Sequence, residues 1–146
     1  MDHGPLVATH EEEVSPWPQT YLELEKYLAI KGADILVDAL DGYVSGRLIP
    51  TEQIHENATY TKKIEKQDGL ISLDSLTGDA GWNTFLKYNA LYEWPGLFFF
   101  ARKNETDIRV KIKEASWNTA LETMEILRVI PEGKKEMSWK DFLNYI

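Results

Sequence analysis

Few residues in this chain could do chemistry. Cysteine is absent, which removes thiolate nucleophiles, thiolate metal sites and disulfides. The histidines are His3, His10 and His55. None has an acidic or histidine partner at metal-ligand spacing, so all three read as surface or turn residues. One carboxylate stands apart: Asp2, two positions before Gly4 and just ahead of the apolar Leu6-Val7-Ala8. Taken alone it is a turn residue beside a glycine. The other candidates are cations. In residues 108–113 apolar and basic residues alternate strictly, so Arg109, Lys111 and Lys113 share one strand face while Ile108, Val110 and Ile112 point to a core. Arg102 and Lys103 precede the turn at 104–107, which predicts one basic patch of five charges on a hairpin. Cations at period two suit phosphate groups, with little sequence preference.

Charge narrows where such a surface can lie. The net charge is −8 over 146 residues, which argues against a general nucleic-acid binder. Residues 1–76 hold 6 Lys+Arg against 14 Asp+Glu, and residues 77–146 hold 10 against 10. A phosphate-facing patch is therefore local and belongs to the second half. With 43% apolar and 12% aromatic residues the chain suits a packed core. It has no apolar run of the ~20 residues that span a bilayer, and its start lacks the pattern of a signal peptide. A cytoplasmic protein is expected.

The elements that must position these groups follow from periodicity. Leu6-Val7-Ala8 reads as a short buried strand. Thr20 opens a helix with a capping-box pattern to Glu23, and Gly32 ends it. A second amphipathic helix carries Ile35, Leu36, Ala39, Leu40, Tyr43 and Val44, and stops at Gly46. Residues 48–71 read as linker. Asp79 caps a helix to about Leu91 with Trp82, Phe85, Leu86 and Asn89 on one side. Trp94-Pro95-Gly96 breaks it, with Trp94 as a core anchor. Leu97-Phe98-Phe99-Phe100, residues 108–113 and residues 123–130 read as strands. Ser138 caps a last helix with Trp139, Phe142, Leu143 and Ile146 as its apolar side.

Two stretches carry a resemblance. Residues 58–71 read ATYTKKIEKQDGLI, and residues 89–96 read NALYEWPG. Both resemble the methionyl-tRNA formyltransferases, whose linker reads roughly A-T-Y-x-x-K-I-x-K-x-D-G-x-I and whose next helix ends in N-P-W-P-G. Ala58, Thr59, Tyr60, Lys63, Ile64, Lys66, Asp68, Gly69 and Ile71 match the first motif. Asn89, Trp94, Pro95 and Gly96 match the second, with four residues inserted after Asn89. Residues 131–138, PEGKKEMS, resemble the family's closing G-K-x-M, with one extra residue before Met137.

The resemblance implies an α+β chain in three parts. Residues 1–47 would be the end of a formyltransferase catalytic domain, 48–76 a linker, and 77–146 a C-terminal β domain like an oligonucleotide-binding fold, shortened to about three strands. It implies transfer of a formyl group from 10-formyltetrahydrofolate to methionyl initiator tRNA, with no metal. Asp2 would be the carboxylate of a catalytic trio whose other members are an Asn and a His. No Asn-x-His occurs in the chain, so the expectation is the back half of an enzyme, inactive alone and missing its N-terminal catalytic segment. The tRNA-binding candidates implied are Lys62, Lys63, Lys66, Arg102, Lys103, Arg109, Lys111, Lys113, Lys134 and Lys135. The alternatives are a sugar-nucleotide formyltransferase fragment and a non-catalytic RNA-binding module.

Overall fold

The computed structural model describes residues 3–146. Asp2 lies outside them. The chain divides into two compact units, residues 3–17 with 22–63, and residues 18–21 with 64–146.

The first unit is built on α1 (Tyr21–Val44), one helix of 24 residues where the sequence suggested two. Gly32 does not stop it. A mid-helix glycine costs about 1 kcal/mol relative to alanine, and Gly32 has ordinary helical backbone with nothing crowding it. No proline lies within the helix. Gly46 is the true stop: its φ is +74° and its N–H is donated to the Tyr43 carbonyl at 3.1 Å. Leu24, Tyr27, Lys31, Ile35 and Ala39 form a half-buried stripe ending at the buried Gly42. Leu48 closes against Gly42. Leu28, Leu36, Val37, Leu40 and Val44 remain exposed on other sides. The strand expected at residues 6–8 is a single bridge, with Leu6 and Thr51 exchanging N–H···O bonds of 2.8 Å. Three apolar residues have no second partner to extend that ladder. Glu12 accepts hydrogen bonds from Tyr27 and His10 and pairs with Lys31, and these hold its carboxyl down at about 2.

The second unit is an open four-stranded antiparallel sheet in the order β1-β2-β3-β4, with helices on one face. The strands are β1 (Phe98–Lys103), β2 (Thr106–Asn118), β3 (Thr123–Pro131) and β4 (Met137–Ser138). The sequence suggested about three strands. The structure adds the two-residue β4 and carries β2 five residues beyond Lys113, where Ala115 and Trp117 face the core after the parity shifts at Lys113. The β1–β2 turn is only Asn104-Glu105, with φ of 46° and 65°, the mirror-image turn whose twist suits a hairpin. Thr106 and Asp107 already belong to the ladder. The β2–β3 ladder has two compensating irregularities. Lys113 is passed over between the pairs Ile112–Val129 and Glu114–Arg128. Leu127 is passed over between Glu114–Arg128 and Ala115–Ile126.

Helix α2 (Gly78–Ala90) has Thr77, not Asp79, as its N-terminal flanking residue. Asp79 sits in the first turn, where a carboxylate faces the helix's positive end. Helix α3 (Trp139–Tyr145) is capped by Ser138, whose Oγ accepts from the Asp141 N–H at 3.1 Å. Of its expected apolar side, Phe142 is fully buried, while Leu143 and Ile146 are exposed. The core comprises Leu97, Phe99, Val110, Ile112, Met124, Ile126, Val129 and Phe142, with Tyr88 and Leu91 from the α2 side. Trp94 is 53% exposed and is not the anchor the sequence suggested; Pro95 and Gly96 are the buried residues there.

The two motif stretches meet inside this unit. A Cβ on Gly69 would lie 2.2 Å from the Gly96 carbonyl oxygen. Gly96 itself has φ +73°. Immediately after, Leu70 bridges Phe98 in parallel and the Ile71 N–H is donated to the Phe98 carbonyl at 3.0 Å. The two glycines of α1 and this junction should therefore respond oppositely to alanine. Gly32→Ala should stabilise the chain by about 0.5–1 kcal/mol. Gly69→Ala should destabilise it by roughly 2 kcal/mol, since backbone must move. Urea unfolding followed by circular dichroism for α1 and tryptophan fluorescence for the sheet measures both; a neutral Gly69→Ala would mean the junction yields freely.

Candidate nucleic-acid interface

Register decides which cations share a surface. Residues directly opposite in a ladder point to the same face. Phe98 pairs with Lys111, Phe100 with Arg109, and Arg102 with Asp107. Lys111 also pairs with Ile130. These residues form the face turned away from the core helices. Phe99, Ala101 and Lys103 pair with Val110, Ile108 and Thr106 and point to the core side. The five-charge patch therefore does not form. Arg102, Arg109 and Lys111 share the outer face, and Lys103 is on the other.

Each outer cation is held differently. The Arg109 guanidinium lies 3.9 Å from the centroid of the Phe98 ring. Stacking of this kind suits a weakly hydrated planar cation. Its Nε is buried without a partner, among the described residues. Lys111 runs across Gly96, where an added Cβ would lie 2.5 Å from its Cε. The φ of +73° at Gly96 is what favours glycine there, since the lysine end could move aside. Arg102 is exposed beside Asp107 at the turn end of the face. Phe100 stands between these groups, 54% exposed. Lys113 occupies the irregular position in β2 and is exposed, with its Nζ 6.0 Å from the Tyr92 ring centroid.

Lys103 gathers with a second group. Its ammonium sits 3.0 Å from the Tyr145 ring centroid and donates to the Tyr145 carbonyl. Lys134 approaches the same ring at 5.9 Å. Lys135 is exposed in the same loop. Lys66 is exposed in the short turn Lys66–Gly69, where Asp68 accepts from the Glu65 N–H at 2.8 Å. Lys62 and Lys63 are exposed in the first unit.

Sequence reading missed several groups. Arg128 reaches the sheet edge, where Glu136 pairs with it and raises its pKa further. Lys87 is half-buried and donates to the Leu70 carbonyl at 3.3 Å. Phe100 and Trp94 are the exposed aromatics of the unit's β1 end. Period two applied to Leu97-Phe98-Phe99-Phe100 would have exposed Phe100, but four apolar residues in a row hide the alternation. Among the described residues no three His, Asp or Glu side chains gather as a metal site, and no helix is long and apolar enough to cross a membrane.

No family model matches the chain. Individual relatives do. A methionyl-tRNA formyltransferase of Streptococcus pyogenes serotype M49 is 32% identical over 158 aligned positions, covering all of this chain and 50% of the relative. One from Carboxydothermus hydrogenoformans is 31% identical over 140 positions, covering 84% of this chain and 44% of the relative. One from Roseiflexus castenholzii is 38% identical over 71 positions, which is 49% of this chain and 22% of the relative. The chain is homologous to the C-terminal part of the methionyl-tRNA formyltransferases. It spans about half the length of the curated formyltransferases it matches. The α+β architecture, helices with an open antiparallel sheet, is consistent with a formyltransferase C-terminal β domain.

The two basic groups should separate by mutation. Arg109→Ala uncovers Phe98 and should cost about 1 kcal/mol of stability, while Lys135→Ala, wholly exposed, should change it by less than about 0.5 kcal/mol. Thermal and urea unfolding compare them; equal, negligible effects would show that Arg109 merely rests on the ring.

Proposed function

We propose that this chain serves as the tRNA-facing part of a methionyl-tRNA formyltransferase, a cytoplasmic enzyme of translation initiation. The observation that supports it most is the outer sheet face, where Arg102, Arg109 and Lys111 stand around the exposed ring of Phe100. Cations at strand spacing meet successive phosphates, and an aromatic among them offers a stacking surface for an unpaired base. Lys113, Lys134, Lys135 and Lys66 would add weaker, more mobile contacts, Lys103 would contribute only from the other face where Tyr145 holds it, and Lys62 and Lys63 would act from the preceding segment. In this reading residues 1–47 end a catalytic domain, 48–76 link it onward, and 77–146 meet the tRNA.

The reaction assigned to the whole enzyme is attack of the methionyl amine on the formyl carbon of 10-formyltetrahydrofolate. A tetrahedral anion forms, then the folate nitrogen leaves and takes a proton. Hydrogen-bond donors aimed at that anion would supply most of the acceleration. An Asn and a His would be those donors, and Asp2 would keep the His protonated. Because the chain contains no Asn-x-His, catalysis requires those groups from other residues. The same fact favours a second reading, in which the chain by itself only binds RNA.

Two measurements test this. Binding of the full chain to initiator tRNA should weaken as salt rises. Replacing Arg102, Arg109 and Lys111 together with Ser should cut affinity about tenfold or more at low salt and flatten the log–log salt slope by roughly 2. An unchanged slope would remove the sheet face from the interface. In a formylation assay with excess chain, 10-formyltetrahydrofolate and methionyl-tRNA should yield no product; turnover that Asp2→Asn abolishes would overturn the division of labour proposed here.

A further inference from the structure

A depression of about 280 Å³ opens at the far end of the second unit, lined by Gly78, Asp79, Trp82, Trp117, Thr119 and Glu122. Trp117 lies eight residues beyond Arg109, roughly 25 Å along β2, so this is not part of the basic face. Two of its walls are indoles. Trp82 and Trp117 meet edge to face, 5.1 Å between centroids at 68°, and both are half-exposed. Phe85 backs them, 6.0 Å from Trp82 and 6.1 Å from Trp117. Two indoles near a right angle make a corner, with ring faces rich in negative charge.

The rim carries the same sign. Asp79 and Glu122 are exposed, and neither side chain has a hydrogen-bond or ion-pair partner among the described residues. No Lys, Arg or His lines the depression. Asp79 answers the positive end of α2. Glu122 has no such counterpart. Its backbone is fixed instead: φ is +47°, and its carbonyl accepts the Gly78 N–H at 2.7 Å. That bond ties the β2–β3 turn to the start of α2, so the carboxylates and the indole corner are held by one piece of backbone.

We infer that this corner binds a small alkylammonium ion, with the onium group against the Trp82 and Trp117 rings and Asp79 and Glu122 as counter-charges. The aromatic faces attract a diffuse cation, the Glu122 carboxylate adds to that attraction while Asp79 offsets the positive end of α2, and the volume suits a group of several heavy atoms. An anion would meet two carboxylates. A neutral apolar molecule would gain the rings but leave the rim charges unanswered.

The test uses the full chain, with choline, butane-1,4-diamine and the neutral carbon analogue of choline, 3,3-dimethylbutan-1-ol, at constant ionic strength. The readout is the indole N–H signal of each tryptophan in nuclear magnetic resonance. At least one cation should shift Trp82 and Trp117 saturably, with Kd of about 1–50 mM, leaving Trp17 and Trp94 unmoved. The neutral analogue should bind about fivefold more weakly or worse, and Asp79→Asn with Glu122→Gln should weaken the cation about fivefold while keeping the rings. Trp117→Leu should abolish the Trp82 shift. The inference is overturned if neither cation saturates, if the neutral analogue binds equally, or if the carboxylate variant binds unchanged.

Discussion

The second unit depends on one close approach of backbone to backbone. Where residue 69 passes the carbonyl of residue 96, there is room for hydrogen and nothing larger. Everything downstream uses that approach. It lets Leu70 and Ile71 lie against Phe98 as a rudimentary parallel neighbour, and the bond from the Ile71 N–H to the Phe98 carbonyl follows from it. It places Pro95 over Gly69 and turns the chain from α2 into β1. Gly96 is tight on its other side too, because Lys111 crosses it. Two stretches 27 residues apart thus meet at one point, where the close approach requires glycine at 69 and a φ of +73° favours it at 96.

The same junction shapes the electrostatics. Phe98 is buried although it points to the outer face. Its cover is the guanidinium of Arg109 on one side and the neighbouring 70–71 segment at its edge. A lysine in that place would keep its water and leave the ring bare. The outer face is therefore neither a solvated strand surface nor a simple cationic stripe. It is a row of cations, one of them seated on an aromatic floor, with acidic Asp107 and Glu136 limiting its ends. That arrangement confines positive potential to a few residues of a chain whose net charge is −8.

Much of this was legible from residue patterns, and the failures have distinct physical causes. Alternation in residues 108–112 gives the correct faces because Val110 and Ile112 have a core to fill, but Lys113, expected beside Arg109 and Lys111, falls on the ladder irregularity instead. The same parity, carried across the turn, puts Arg102 outward and Lys103 inward; treating the two neighbours as one patch ignored it. Gly32 reads as a terminator in the sequence, yet glycine ends a helix only where the backbone needs φ > 0, as at Gly46. Trp94 reads as a core anchor at the corner after the helix, but the chain there is fixed by the buried Pro95 and Gly96, leaving the indole outside. The seal between residues 69 and 96 could not be read at all, since a steric limit between distant glycines leaves no periodic trace. Family likeness located the stretches; only coordinates supplied the reason.

Lys113 and Leu127, the residues passed over on β2 and β3, behave like two reading-frame errors that cancel. Before the first and after the second, the hairpin is in phase, so the Val129 end and the Met124 end both face the core. Between them it is out of phase for one pair. Losing either residue alone would remove one irregularity and leave a single bulge on the other strand, with the Ile112–Val129 and Ala115–Ile126 pairs still facing the core; losing both would give a regular ladder. Each strand thus carries one residue that its partner does not match, and the faces on either side of the pair are kept by both strands together.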